Sequence, residues 1–139
     1  MQARQIANAI LSTVGIMALC GSAHGQAQQV RDVPVIVGGD ATMDACATQG
    51  KVVGLDPKGD NFLSVRGGPG GKPFREVARL HSGQVIAICQ EKGVWLSIVY
   101  AKRASQQCGV ATAIARARPY RGPCPSGWVH KRYIDIIAG

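Results

Sequence analysis

The sequence predicts an all-β fold, a small β-barrel or sandwich of roughly five to seven short strands with long connections. Three observations carry that prediction. Short apolar runs, several of them rich in β-branched residues, recur between clusters of Gly, Pro, Asp and Ser. Beyond the first 27 residues, no uncharged periodic stretch is long enough to read as a helix. Four cysteines, an even number in a small domain, follow an N-terminal apolar segment and read as a disulfide framework. At 139 residues the chain is too short for two ordinary domains, and at 46% hydrophobic it is too apolar for a disordered basic tail.

Residues 1–27 read as a signal peptide. Arg4 is the only charged residue before Arg31, and it precedes an uncharged, mostly apolar stretch over residues 6–20. A transmembrane helix needs roughly 20 mostly apolar residues, and here the stretch gives way to Gly21, Ser22, Ala23, His24 and Gly25. Small residues at the minus-three and minus-one places suit cleavage after Gly25 or after Ala27. Cys20 raises lipoprotein processing, but Leu19 stands before it where that cleavage favours a small side chain. The expectation is a periplasmic or secreted protein with no transmembrane segment in its mature chain.

Cys46, Cys89, Cys108 and Cys124 then remain, and four cysteines allow three pairings. Cys108 with Cys124 closes a loop of about 15 residues, worth roughly 3 kcal/mol in the chain-entropy description, and leaves Cys46 with Cys89. There is no C-x-x-C, and no His stands at ligand spacing from a cysteine, so no metal is expected.

Residues 28–45 are a polar lead-in with Pro34, a short apolar stretch at 33–37 and a Gly38-Gly39-Asp40 turn signal; they read as a linker or an extra edge strand. The domain proper is assigned to residues 46–139, a size at which one core is marginal without staples. Residues 51–55 form an apolar run closed by Asp56, Pro57, Gly59 and Asp60. Leu63, Ser64, Val65 and Arg66 alternate and stop at the glycines around Pro69. After a Ser82-Gly83 turn, residues 84–89 are rich in β-branched side chains. Residues 94–100 follow, with Glu91-Lys92-Gly93 predicting a tight hairpin.

Four blocks carry more than periodicity. Residues 62–70 read FLSVRGGPG, residues 81–85 HSGQV, residues 93–98 GVWLSI and residues 126–134 SGWVHKRYI. In this order they resemble the bacterial SH3-like (SH3b) domain, over residues 51–134. The resemblance implies a small SH3-like, partly open β-barrel. Glycines 67, 68, 70 and 71 permit a sharp reversal where a long loop folds back. Trp95 begins a strand just after a hairpin, so its ring is placed to close one end of a groove, while Leu96 and Ile98 point to the other side. Tyr133 follows an expected single helical turn and is a candidate for the same groove; core packing is the alternative for both. Trp128 is expected in the core. Eukaryotic relatives bind proline-rich helices on an aromatic groove, but His130 stands where they carry a groove proline and Arg132 where they often carry an asparagine. The resemblance therefore points to peptide or peptidoglycan rather than polyproline.

Residues 101–126 intervene where the family has a short hairpin. They hold Cys108, Cys124 and the cations Lys102, Arg103, Arg116, Arg118 and Arg121. An unstructured excursion of that length is uncommon in a compact domain, so a disulfide-stapled lobe is expected, with Arg116, Arg118 and Arg121 near its tip. The charge has the same address. No acid lies between Lys102 and Arg132, and those five cations with Lys131, Arg132 and the distant Arg4 make up the whole net charge of +8. Clustered arginines favour carboxylate or phosphate partners, and export argues against nucleic acid as that partner.

Catalysis and cofactors are not expected. Past the leader only His81 and His130 remain, with no G-x-S-x-G or H-E-x-x-H pattern. His81 reads as a solvated turn residue. The glycines at 67–71 lack the Lys-Ser/Thr ending and following helix of a phosphate loop. The expected function is a non-catalytic binding module, recognising peptide, peptidoglycan or another anionic envelope component through Trp95, Tyr133, His130, Arg132 and the basic lobe. The alternative is an interaction or inhibitor protein docking on an acidic surface of an envelope partner.

Overall fold

A computed structural model describes residues 30–139. The expected signal peptide, Cys20 included, and residues 28 and 29 of the lead-in lie outside the described residues.

The described chain is all-β, with the strands β1 (Ile36–Val37), β2 (Asp40–Asp44), β3 (Thr48–Val52), β4 (Leu63–Arg66), β5 (Glu76–Leu80), β6 (Val85–Lys92), β7 (Trp95–Val99), β8 (Ala113–Ile114), β9 (Arg118–Pro119), β10 (Ser126–His130) and β11 (Ile134–Ala138). A 3₁₀ turn, Lys131–Tyr133, is the only helical element among the described residues, and none of them forms a helix long and apolar enough to cross a membrane. Seven strands make one antiparallel sheet in the order β11-β3-β6-β7-β10-β4-β5, which does not close on itself. Two-stranded pairs, β1 with β9 and β2 with β8, lie outside it.

Several elements fall where the sequence places them. The alternation at Leu63, Ser64, Val65 and Arg66 gives a strand with Leu63 and Val65 buried. The β6–β7 hairpin turns at Gly93, whose φ of 61° suits a residue without a side chain. The apolar run expected at residues 51–55 is shifted: β3 starts earlier and ends at Val52, because Gly54 turns the chain with a φ of 71°. Strand β5 was not legible, because its edge position lets it carry Glu76 and Arg79 among its apolar residues.

The main core gathers Val52, Val65, Leu80, Ile86, Ile98 and Val129 from both halves of the large sheet. A second, smaller core lies around Val99 and takes in Val35, Val37, Ala45 and Val110 with both disulfides, Cys46–Cys89 and Cys108–Cys124. The pairing is the one the short loop favours. Strand β7 is buried from Leu96 through Val99, and the side-chain alternation explains why: Leu96 and Ile98 belong to the main core, Val99 to the second. On β10, Val129 lies opposite Leu96 while Trp128 lies opposite Ser97, so the indole shares the outer face.

Residues 30–45 do not extend the edge of the large sheet. They run as a strap across its outer face. The Val33 N–H donates to the Gly67 carbonyl at 2.7 Å, and the Trp128 indole N–H donates to the Val33 carbonyl at 2.9 Å. Tyr120 N–H donates to the Val35 carbonyl at 2.8 Å, and Asp32 forms a forked ion pair with Arg75. Val35 and Val37 are buried, each contributing about 2 kcal/mol. The strap's two strands find their partners in the insertion, Val37 opposite Arg118 and Asp40 opposite Ile114. Each segment alone is too short to bury its apolar residues.

Gly38 sits at the seam with a φ of 76°, where an added Cβ would lie 2.5 Å from the Ile114 carbonyl oxygen. Gly38→Ala is therefore expected to destabilise the protein by about 1–3 kcal/mol in urea unfolding. Replacing Cys108 and Cys124 together by Ser is expected to cost about 3 kcal/mol. In the unreduced native protein, mass spectrometry after alkylation is expected to find Cys46, Cys89, Cys108 and Cys124 unmodified.

Candidate binding groove and basic lobe

The groove is assembled at one end of the β7–β10 pair. The tight hairpin sets Trp95 opposite Lys92 at the start of β7, and the antiparallel register sets His130 opposite Trp95 at the end of β10. The 3₁₀ turn then forms because the His130 Nδ1 accepts the Arg132 backbone N–H at 3.1 Å, while the Lys131 N–H donates to the Val94 carbonyl at 2.9 Å. That turn brings Tyr133 back beside His130.

The three rings make a row. Trp95 and His130 lie 5.4 Å apart between centroids at an interplanar angle of 74°, and His130 and Tyr133 lie 6.2 Å apart at 66°. Both contacts are edge-to-face, the arrangement aromatic quadrupoles favour. All three rings are half-buried, and they line an open groove of about 360 Å³.

The opposite side of the groove comes from β4 and the loop before it, with Leu55, Phe62, Ser64 and Arg66. A chain of contacts holds this side. The Ser64 hydroxyl donates to Glu76 at 2.5 Å, Arg79 donates to the other Glu76 oxygen at 2.6 Å, and the Arg79 guanidinium lies 4.0 Å over the Phe62 ring. The Ser64 hydrogen bond, with that from Arg79, holds the Glu76 carboxyl below its ordinary 4.5. Asp56 and Asp60 also line the groove, with Arg66 and Lys72, so it presents both signs of charge. Asp56 is also a turn former, accepting the Lys58 N–H at 2.9 Å.

The glycine run has a packing role. A side chain at Gly68 would run into the Phe74 ring, and one at Gly67 into the Asp32 carboxylate of the strap. His81 is exposed in its turn, with Nδ1 3.3 Å from the Asn61 carbonyl oxygen.

Of the residues singled out from sequence, Trp95, His130 and Tyr133 come together. Arg132 is exposed on the turn and does not line the groove. Arg116, Arg118 and Arg121 lie elsewhere. The insertion leaves β7 after Val99 and rejoins β10 at Ser126, its register partner, so the lobe springs from the end of the pair about 13 Å along the strands from Trp95. Groove and lobe are two surfaces.

The lobe is tied together internally by a disulfide and side-chain hydrogen bonds. Beside the Cys108–Cys124 disulfide, the Tyr120 hydroxyl donates to the Cys108 carbonyl at 2.8 Å and accepts the Cys124 N–H at 3.2 Å. Gln106 accepts the Lys102 N–H at 2.8 Å and donates to the Pro123 carbonyl at 3.1 Å. Lys102, Arg103, Arg116, Arg118 and Arg121 are all exposed, and none forms an ion pair among the described residues. Lys131 differs, pairing with Glu91 at 2.5 Å.

Sequence reasoning missed Tyr120, Phe62, Ser64, Arg66 and Lys72. The FLSVR block held three of them, but only the β4–β10 pairing brings that block to the Trp95 side of the sheet.

Fold and site together define a small, disulfide-bonded all-β domain with an open aromatic groove and a separate basic lobe. Comparison with known protein families, curated proteins and solved structures gives no match for the chain.

Because the folded Glu76 carboxyl ionises below its ordinary value, its contribution to stability is complete above about pH 4.5 and is lost as the pH falls through the folded value. In unfolding measurements across pH, wild type is expected to exceed Glu76→Gln at neutral pH, with the gap closing in acid. A gap that stayed constant into acid would leave the carboxylate charge with no part in it.

Proposed function

We propose that the protein is an exported, non-catalytic binding module of the bacterial SH3-like type, with its strands arranged as a partly open barrel around the main core. Its groove takes a peptide, including the peptide stems of peptidoglycan. The observation that carries this reading is the row of Trp95, His130 and Tyr133 along an open groove. Half-buried aromatic rings supply contact area at little entropic cost when a ligand covers them. The mixed charge of Asp56, Asp60, Arg66 and Lys72 suits a ligand carrying both amino and carboxylate groups. Binding rather than catalysis is favoured because the Ser64 hydroxyl is engaged with Glu76 and the His130 Nδ1 with a backbone N–H.

Two disulfides favour an oxidising compartment, in keeping with export. The unpaired cations of the lobe add a long-range attraction toward anionic envelope components, acting from a surface apart from the groove.

Sedimentation with purified peptidoglycan tests the reading. Wild type is expected to pellet with the polymer at low salt, and Trp95→Ala to bind about tenfold more weakly. Replacing Arg116, Arg118 and Arg121 by Ala is expected to weaken binding at low salt and much less at high salt, where charge is screened. Failure of wild type to pellet at low salt overturns peptidoglycan as the ligand. An intact mass of the native protein is expected to match cleavage after Gly25 or Ala27.

A further inference from the structure

The lobe contains a second concave surface, remote from the aromatic groove. It is a cleft of about 380 Å³ with Ile114, Pro119 and Tyr120 as apolar lining over the buried Val37, and Arg118 and Arg121 beside them. We propose that this cleft is a docking site for an acidic polypeptide segment, one apolar side chain entering it while flanking carboxylates meet Arg118 and Arg121. The inference goes beyond the groove reading and does not depend on what the groove binds.

Charge complementarity is the first argument. None of the five cations of the lobe forms an ion pair among the described residues, which is also true of Arg31, Lys51, Lys58, Arg66, Lys72, Lys92 and Arg132 elsewhere; what distinguishes the lobe is that its cations stand in a window without acids. No acid occurs between Lys102 and Arg132 to pair with them locally. Four of the five are arginines, whose planar fork matches a carboxylate.

The second argument is preorganisation. Arg118 is held opposite Val37 by the β1–β9 pairing, and the Tyr120 N–H is tied to the Val35 carbonyl. The Tyr120 hydroxyl and the disulfide fix the far side of the cleft. A surface serving only solubility needs no such fixed concavity, whereas a binding site gains affinity from it.

The apolar lining separates a polypeptide from other anions. A phosphate polymer offers charge but nothing to fill a cleft of Ile114, Pro119 and Tyr120. A lipid surface would call for exposed apolar side chains to enter it. The large exposed ones among the described residues are Val30, Met43, Val85, Val94, Ile136 and Ile137, all outside the insertion.

Fluorescence anisotropy on the full mature protein tests the proposal, using a fluorescein-labelled peptide in which one Leu is flanked on both sides by three Asp. It is expected to bind at near-physiological salt, and the same peptide with Gly for Leu to bind about tenfold more weakly. Arg118→Ala with Arg121→Ala is expected to weaken the Leu peptide at least about tenfold, and Trp95→Ala to leave it unchanged. Both arginines are exposed, and an unchanged melting temperature confirms that the double variant folds. Arg118→Glu with Arg121→Glu is expected to transfer binding to a peptide with Lys in place of Asp. Equal binding of the Leu and Gly peptides would overturn the proposal in favour of a charged surface alone. So would binding to phosphatidylglycerol vesicles or inorganic polyphosphate with none to the Leu peptide, and so would a double Ala variant that binds as well as wild type.

Discussion

Burial of both faces of β7 is the constraint on which the rest of the arrangement depends. An antiparallel sheet of this size can leave one face to water. Here Leu96 and Ile98 enter the main core on one side, while Ser97 and Val99 on the other are equally inaccessible. Trp128 of the neighbouring strand adds a large apolar ring to that outer face, with its N–H bonded to the strap. Such a face needs a cover. The chain builds it from two segments far apart in sequence, the strap before Cys46 and the insertion after Val99, which pair with each other through β1–β9 and β2–β8.

The cover accounts for the disulfides. Its core is small, and Val35, Val37, Ala45 and Val110 offer limited apolar area for the backbone that must be ordered. Cys46–Cys89 ties the end of the strap to β6, and Cys108–Cys124 closes the insertion on itself. Both bridges therefore lie in the second core, where burial is thinnest, while the main core of larger side chains holds without one.

The same architecture separates the two candidate surfaces. The hairpin end of the β7–β10 pair carries Trp95 and His130, and the short 3₁₀ turn sets Tyr133 beside them. The opposite end is where the insertion leaves and returns, so the arginines stand away from the rings. In sequence, Arg132 is two residues from His130 and belongs to the same block; in space it is exposed and does not line the groove. Phe62 and Arg66, more than 60 residues before His130, line the groove with it.

Alternation over Leu63–Arg66, the hairpin at Gly93, the loop between Cys108 and Cys124 and the placing of the charge in one acid-free window were legible from the sequence alone. These are local properties: side-chain period, turn chemistry, loop closure and composition act over a few residues or a short loop. Only the tertiary structure decided that residues 30–45 are a strap, that β5 joins the sheet at its edge and that a second core exists. It alone also placed β4 opposite the aromatic row and the arginines at the other end. The physical reason is that each of these rests on pairing between segments that are individually too short or too polar to mark themselves. Ile36–Val37 and Arg118–Pro119 become strands only because each supplies the hydrogen bonds and apolar contact the other lacks.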